Sequence, residues 1–189
     1  MDPLIYIALI HYPVLNRKGE EITSAVTNLD IHDISRLAVA YGVKAYYIVT
    51  PIAEQQALAR QLIAHWTEGV GGELNPHRRQ AMEAVRIVED IKEVKKEIMH
   101  EAGAMPISFC TSAKKREKAI GWPEMKRMFN SEPSRPFLLL FGTASGLSEK
   151  IITQTDGVLA PIEGIHGYNH ISVRSAVSIT LDRLLSRTG

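Results

Sequence analysis

Two runs in this sequence, Leu4-Ile-Tyr-Ile-Ala-Leu-Ile10 and Phe137-Leu-Leu-Leu-Phe141, are apolar at every position and have the length of a strand. A strand with one wet face alternates apolar and polar residues, whereas one apolar throughout is buried on both faces, as the interior of a parallel sheet requires. Parallel neighbours cannot be joined by a tight turn and need crossovers, usually helices. The rest of the chain supplies them. A helix starting near Asp30 presents Ile34, Leu37, Ala38 and Tyr41 at helical spacing and stops at Gly42. A strand over 43–50 ends at Pro51, and a helix over 52–66 turns Leu58, Leu62 and Ile63 inward. Residues 77–102 have the spacing of one long, charge-rich helix containing Met82, Val85, Val88, Ile91 and Ile98. Short strands follow at 106–111 and 157–160, and the last helix, 172–185, points Val173, Val177, Leu181 and Leu184 to one side. That side is either core-facing or an interface. The expectation is one α/β domain over 1–189, with a mostly parallel sheet of five or six strands and helices on both faces.

Composition narrows the function. A net charge of +1 over 189 residues means that any nucleic-acid surface must be a local patch. Cys110 is the only cysteine, so no intrachain disulfide can form, and a buried packing role is expected for it in place of a nucleophilic one. The apolar run 4–10 is too short for a membrane span, and Met1-Asp2-Pro3 lacks the basic start of a signal peptide, so a cytoplasmic protein is expected.

Ligands in open parallel sheets bind beyond the carboxyl ends of the strands, and three glycine-containing segments fall there: 28–42, 142–146 and 164–167. None has the dinucleotide pattern, and the glycines of 68–72 lack the Lys-Ser/Thr of a Walker loop, so 68–72 reads as a mobile connection. His166 and His170 stand four apart in an irregular loop with no acid between them, and no metal site is expected. Lys114, Lys115, Arg116, Lys118, Lys126, Arg127 and Arg135 outnumber the acids of 112–136, with Trp122 and Phe129 interleaved. An ordinary surface helix and an RNA-tracking surface both fit that pattern. The densest concentration of donors and acceptors is the strand–loop–helix junction 159–176, which holds His166, Asn169, His170 and Ser172.

Taken together, the three glycine segments resemble the three motifs of the SPOUT (α/β-knot) RNA methyltransferases. The family's first motif is Asn, then Arg six residues on, then Gly six beyond; Arg36 and Gly42 keep the second spacing, with Asp30 at the Asn position and Asn28 two earlier. The second, an apolar strand into Gly and then Glu-Gly-x-Gly, resembles Leu138-Leu-Leu-Phe-Gly-Thr-Ala-Ser-Gly-Leu-Ser148 without the glutamate and one residue shorter. The third, Pro-Met-x-Gly then Ser-Leu-Asn-Val-Ser-Val-Ala, aligns ungapped with Pro161-Ile-Glu-Gly164 and Tyr168-Asn-His-Ile-Ser-Val-Arg174.

The resemblance implies a C-terminal deep trefoil knot, a homodimer, and S-adenosylmethionine (SAM) as cofactor. It implies cofactor contacts from Leu140, Phe141, Gly142, Thr143, Pro161, Ile162, Gly164, Gly167, Asn169, Ile171 and Ser172, with Gly142 letting the backbone approach the ligand. Arg36 would engage the RNA and help activate the nucleophile, unless it is merely paired with Asp33 on its own helix. His170 would be a general base, since histidines titrate near neutrality, or a buried structural residue. Arg17, Lys18, Asn28, Lys114, Lys115 and Arg116 would contact the RNA. The implied function is methylation of tRNA or rRNA, with ribose 2′-O preferred over a base nitrogen because Arg36 is present. The competing readings are a non-catalytic RNA- or partner-binding module that keeps the knotted fold, and an α/β enzyme for another nucleotide-like ligand.

Overall fold

In the computed structural model, which describes residues 2–186, the chain runs β1 (Leu4–Ile10), β2 (Val14–Leu15), β3 (Glu21–Ile22), α1 (Asn28–Ala40), β4 (Ala45–Val49), α2 (Ala53–Thr67), α3 (Val70–Leu74), α4 (Pro76–Glu83) and β5 (Val85–Val88). It continues α5 (Ile91–Ala102), β6 (Ile107–Cys110), β7 (Ala119–Ile120), α6 (Trp122–Ser131), β8 (Pro136–Gly142), α7 (Glu149–Ile152), β9 (Gly157–Leu159) and α8 (Val173–Leu185). Seven strands form one sheet in the order β5-β4-β1-β8-β6-β9-β7, and every pairing in it is parallel. The two all-apolar runs, β1 and β8, lie side by side at its centre. Their alternate residues serve different faces. Ile5, Ile7 and Leu9 meet α1, α2, α4, α6 and α8, while Tyr6, Ala8 and Ile10 meet α5 and α7. Helices therefore cover both faces, and every residue of β1 from Ile5 to Ile10 is buried.

Several expectations change. Residues 77–102 are not one helix: α4 ends at Glu83, Val85–Val88 pairs with β4, and Asp90 starts α5 by accepting from the Glu93 amide at 2.9 Å. The i, i+3 spacing of Val85, Val88 and Ile91 suits a helix, but a β-branched Val-Arg-Ile-Val run beside an open strand gains more by pairing. Residues 68–72 are not a mobile connection, since Val70–Leu74 is a helix. A Cβ on Gly72 would collide with the Trp66 carbonyl, so this glycine permits close packing and cradles no phosphate. On α2 the inward residues are Ala59, Leu62, Ile63 and Trp66, whereas Leu58 is 51% exposed. The basic section 112–136 is a loop, the short edge strand β7 and α6, rather than one surface helix.

Val177, Leu181 and Leu184 are buried within the chain, so the apolar side of α8 packs on the core and is not an interface. Cys110 is buried, and burial pushes its thiol pKa up, as a packing role implies. Among the described residues no helix is long and apolar enough to cross a membrane.

Candidate functional site

The carboxyl ends of β1 and β8 meet in register, Ile10 opposite Gly142, and three polar side chains gather just past them. His11 follows β1 and is fully buried. Its Nδ1 lies 3.0 Å from Ser24 Oγ, Ser24 Oγ contacts Thr143 Oγ1, and the Thr143 hydroxyl donates to the Ile10 carbonyl at 3.0 Å. Burial lowers the His11 pKa to about 4, against the opposing pull of Asp30 and of the Ala25 and Ser24 carbonyls. The β2–β3 hairpin docks on the same turn: Leu15 donates to the Gly146 carbonyl at 2.8 Å and Ser145 donates back to Leu15 at 2.9 Å. A two-stranded hairpin this short is unstable alone, and this docking holds it. Gly142 is needed for that turn. An added Cβ would stand 2.6 Å from the Leu147 amide nitrogen, so the close approach is made by the chain itself.

The closing loop, residues 160–172, leaves β9 and returns as α8, which packs on α1, α6 and β8. Two contacts tie it to the basic loop 111–118: the Asn169 side-chain amide donates to the Ala113 carbonyl at 2.6 Å, and Lys115 pairs with Glu163 at 2.7 Å. Ile165 (97% exposed), Tyr168 (70%) and Ile171 (38%) leave apolar surface uncovered here. His170 is exposed, with its ring edge-on to Tyr168 at 5.7 Å, so it is not a buried structural histidine. Ser172 caps α8, accepting from the Ser175 amide at 3.2 Å.

The end of this loop is joined to α1. Arg174 pairs with Asp33 at 2.6 Å and with the nearly buried Asp30 at 3.6 Å, and further along both helices Tyr41 donates to Asp182 at 3.0 Å. Asp33 is therefore engaged by Arg174, not by Arg36 as local spacing allows. Arg36 is exposed and has no ion pair or hydrogen bond among the described residues. It lines a cleft of about 740 Å³ between α1, α4 and α8, together with Leu37, His77, Gln80, Ser172 and Arg174.

The expected cofactor residues divide. Gly142 and Thr143 stand at the end of β8, and Pro161, Ile162, Gly164, Gly167, Asn169, Ile171 and Ser172 follow β9. Leu140 and Phe141 send their side chains into the cores on opposite faces, leaving only backbone for a ligand. A glycine-bearing loop with uncovered isoleucines and a tyrosine fits an adenine ring, which needs flat apolar contact and a few backbone hydrogen bonds. Of the expected RNA contacts, Arg17 and Lys18 are exposed on the hairpin tip, Asn28 on the first turn of α1, and Lys114 on its loop. Lys115 is paired with Glu163, and Arg116 makes two hydrogen bonds to Glu149 (3.0 and 2.5 Å). Sequence reasoning missed His11, Ser24 and Arg174. For His11 a signal existed: it is the polar residue that ends an all-apolar parallel strand.

Comparison with known proteins gives the family of the chain. Residues 4–186 match the model of a family described as SAM-dependent RNA methyltransferase. A protein of Oleidesulfovibrio alaskensis named tRNA (guanine-N(1)-)-methyltransferase is 42% identical over 181 residues, covering 96% of this chain and 42% of that protein. The chain thus spans less than half the length of that relative. An uncharacterized protein of Aquifex aeolicus is 36% identical over 183 residues, covering 97% of this chain and 89% of that protein. The fold is similar to that of the SpoU methyltransferase AviRb from Streptomyces viridochromogenes in complex with AdoMet, with a TM-score of 0.54 and 16% identity over 97% of this chain and 57% of that one.

Proposed function

The chain belongs to the SAM-dependent RNA methyltransferase family, and from that premise we propose that it transfers the methyl group of SAM to a tRNA. One observation carries the reading. Arg174 occupies Asp33 and Asp30, which leaves Arg36 without a partner among the described residues, facing a cleft that begins at Ser172, the last residue of the closing loop. This shared cleft supports a reading in which the closing loop holds the cofactor and Arg36 meets the RNA beside it.

When bound, SAM supplies an electrophilic methyl whose carbon–sulfur bond breaks with the electron pair left on sulfur, so no acid is needed at the donor. Residues 161–172 would hold it, with Ile162, Tyr168 and Ile171 against the adenine and the turn at Gly142 and Thr143 as the opposite wall. On the RNA side, Arg36 holds a phosphate so that the nucleophile lies in line with the methyl carbon. The exposed His170 accepts the proton that the nucleophile loses. The trefoil knot implied by the motifs would be tied by the closing loop, and a homodimer remains part of this reading.

Two observations bear on the methylated atom. The relative from Oleidesulfovibrio is named for guanine N1, but more than half of it lies outside the match, room enough for a further domain of ordinary size. The free Arg36 beside the cleft supports the ribose 2′-oxygen, next to the phosphate it would hold. Both share a tRNA substrate.

Calorimetric titration with SAM and methyl transfer to tRNA, compared for wild type and Arg36→Ala, test the proposal. Arg36→Ala should reduce transfer by at least about 100-fold and leave the SAM Kd within about twofold. Equal loss of both removes Arg36 from the RNA role. Binding of tRNA by a wild type that neither binds SAM nor transfers methyl would make the chain a non-catalytic RNA-binding module.

A further inference from the structure

The His11–Ser24–Thr143 chain of contacts has a direction, and the direction follows from counting protons. The Ile10 carbonyl can only accept, so at 3.0 Å the single Thr143 hydroxyl hydrogen is committed to it. Thr143 Oγ1 must then accept from Ser24, which spends the single Ser24 hydroxyl hydrogen. Ser24 Oγ, at 3.0 Å from the ring, is left to accept from His11 Nδ1–H. In the reverse order the Thr143 hydroxyl would face the Ile10 carbonyl with no hydrogen between two oxygens. The imidazole is therefore the Nδ1–H tautomer. Its Nε2, buried and with no hydrogen-bond partner among the described residues, carries the lone pair.

The three residues come from three segments far apart in the chain: the end of β1, the loop before α1, and the turn after β8. Thr143 lies in the turn that the proposed function makes one wall of the cofactor site, and its hydroxyl ties that turn to the end of β1. We propose that His11 is a positioning residue for the SAM-binding turn, acting through a one-way relay to Ser24 and Thr143 in its neutral Nδ1–H form. This rests on the cofactor reading given above. Among the described residues, the side-chain partners of the Ser24 hydroxyl are His11 and Thr143. The relay spans 119 residues between Ser24 and Thr143 and lies at the β1–β8 seam, so loosening it moves the turn without opening the sheet.

Two measurements test this. Long-range proton–nitrogen correlation spectra of the histidine-labelled full chain at pH 7, with His11 assigned by its loss in His11→Asn, should show Nδ1 protonated and Nε2 bare. Calorimetry with SAM should show Kd raised by about tenfold in His11→Ala, and to a similar extent in Ser24→Ala, which breaks the same relay with a smaller change of volume. His11→Asn, whose amide can donate from the Nδ1 position, should return Kd to within about threefold of wild type. The double variant His11→Ala/Ser24→Ala should be no weaker than either single one. A purely structural histidine would lower the melting temperature and leave the Kd of the folded protein unchanged. An Nε2–H tautomer overturns the relay. An unchanged Kd in both single variants, with wild type binding SAM, overturns the positioning role. A wild type that does not bind SAM overturns the cofactor reading and the role built on it, and the spectra still report the direction of the relay.

Discussion

Lowering the pH from 7 to 4 should weaken this fold, chiefly through the imidazole of His11. His11 is fully buried, and its pKa falls to about 4 because burial disfavours the charged ring more strongly than Asp30 favours it. In the unfolded chain the same ring has the ordinary histidine pKa of about 6.5. Below pH 6.5 the unfolded chain therefore takes up a proton that the folded chain refuses until about pH 4. Stability rises with pH wherever the unfolded state binds more protons, so the His11 contribution is complete above about pH 6.5 and is lost as the pH falls towards 4. The interval between the two values corresponds to about 3 kcal/mol, a large share of the roughly 5–15 kcal/mol that holds a domain of this size together. Burial also lowers the His32 pKa, which acts in the same direction, while the lowered Asp156 and Glu149 values act below the usual carboxylate range. Comparison with a variant separates them. Urea unfolding of wild type and His11→Gln from pH 4 to 8 should give a difference in stability that changes by about 3 kcal/mol across that range and is flat above pH 7. Parallel curves would refute a buried neutral His11.

Three substitutions probe the packing that builds the site. Gly142→Ala forces a Cβ to within 2.6 Å of the Leu147 nitrogen and should cost about 1–3 kcal/mol in urea unfolding while weakening SAM binding by calorimetry. Arg174→Met leaves Asp30 nearly buried without its cation and frees Asp33, and a loss of about 1–2 kcal/mol is expected, with slower methyl transfer as α8 loosens from α1. Leu58→Ser, at a half-exposed position on α2, should change stability by no more than about 0.5 kcal/mol, where a core leucine would cost several times that.

Much of the fold was legible because β1 and β8 are apolar on both faces and no other environment suits such a run. The glycine turns that the resemblance assigns to the cofactor do stand at strand ends, one at the end of β8 and the other after β9. What escaped was everything decided between distant segments. Val85–Val88 carries a spacing compatible with helix and strand, and only the open edge of β4 selects the strand. Leu58 and Leu62 look alike along α2, yet the packing of that helix exposes the first. The choice of partner for Asp33 turned on Arg174, 141 positions away, against an arginine three positions away. The motif marks Gly142, but its steric reason, the Leu147 amide, arises only where the folded turn closes on β8. His11 was passed over because the relay that gives it a role joins β1 to a turn that comes after more than a hundred intervening residues.

Methyl transfer to tRNA can be tested in a single assay. Purified full chain is incubated with SAM carrying a labelled methyl group and with total tRNA, and the digested nucleosides are separated and weighed. Label is expected in a single methylated nucleoside, on ribose oxygen if Arg36 holds the adjacent phosphate and on guanine N1 if the name of the longer relative applies to this portion, and at least about 100-fold less label with Arg36→Ala. Absence of label from wild type, with no heat of SAM binding, would contradict it.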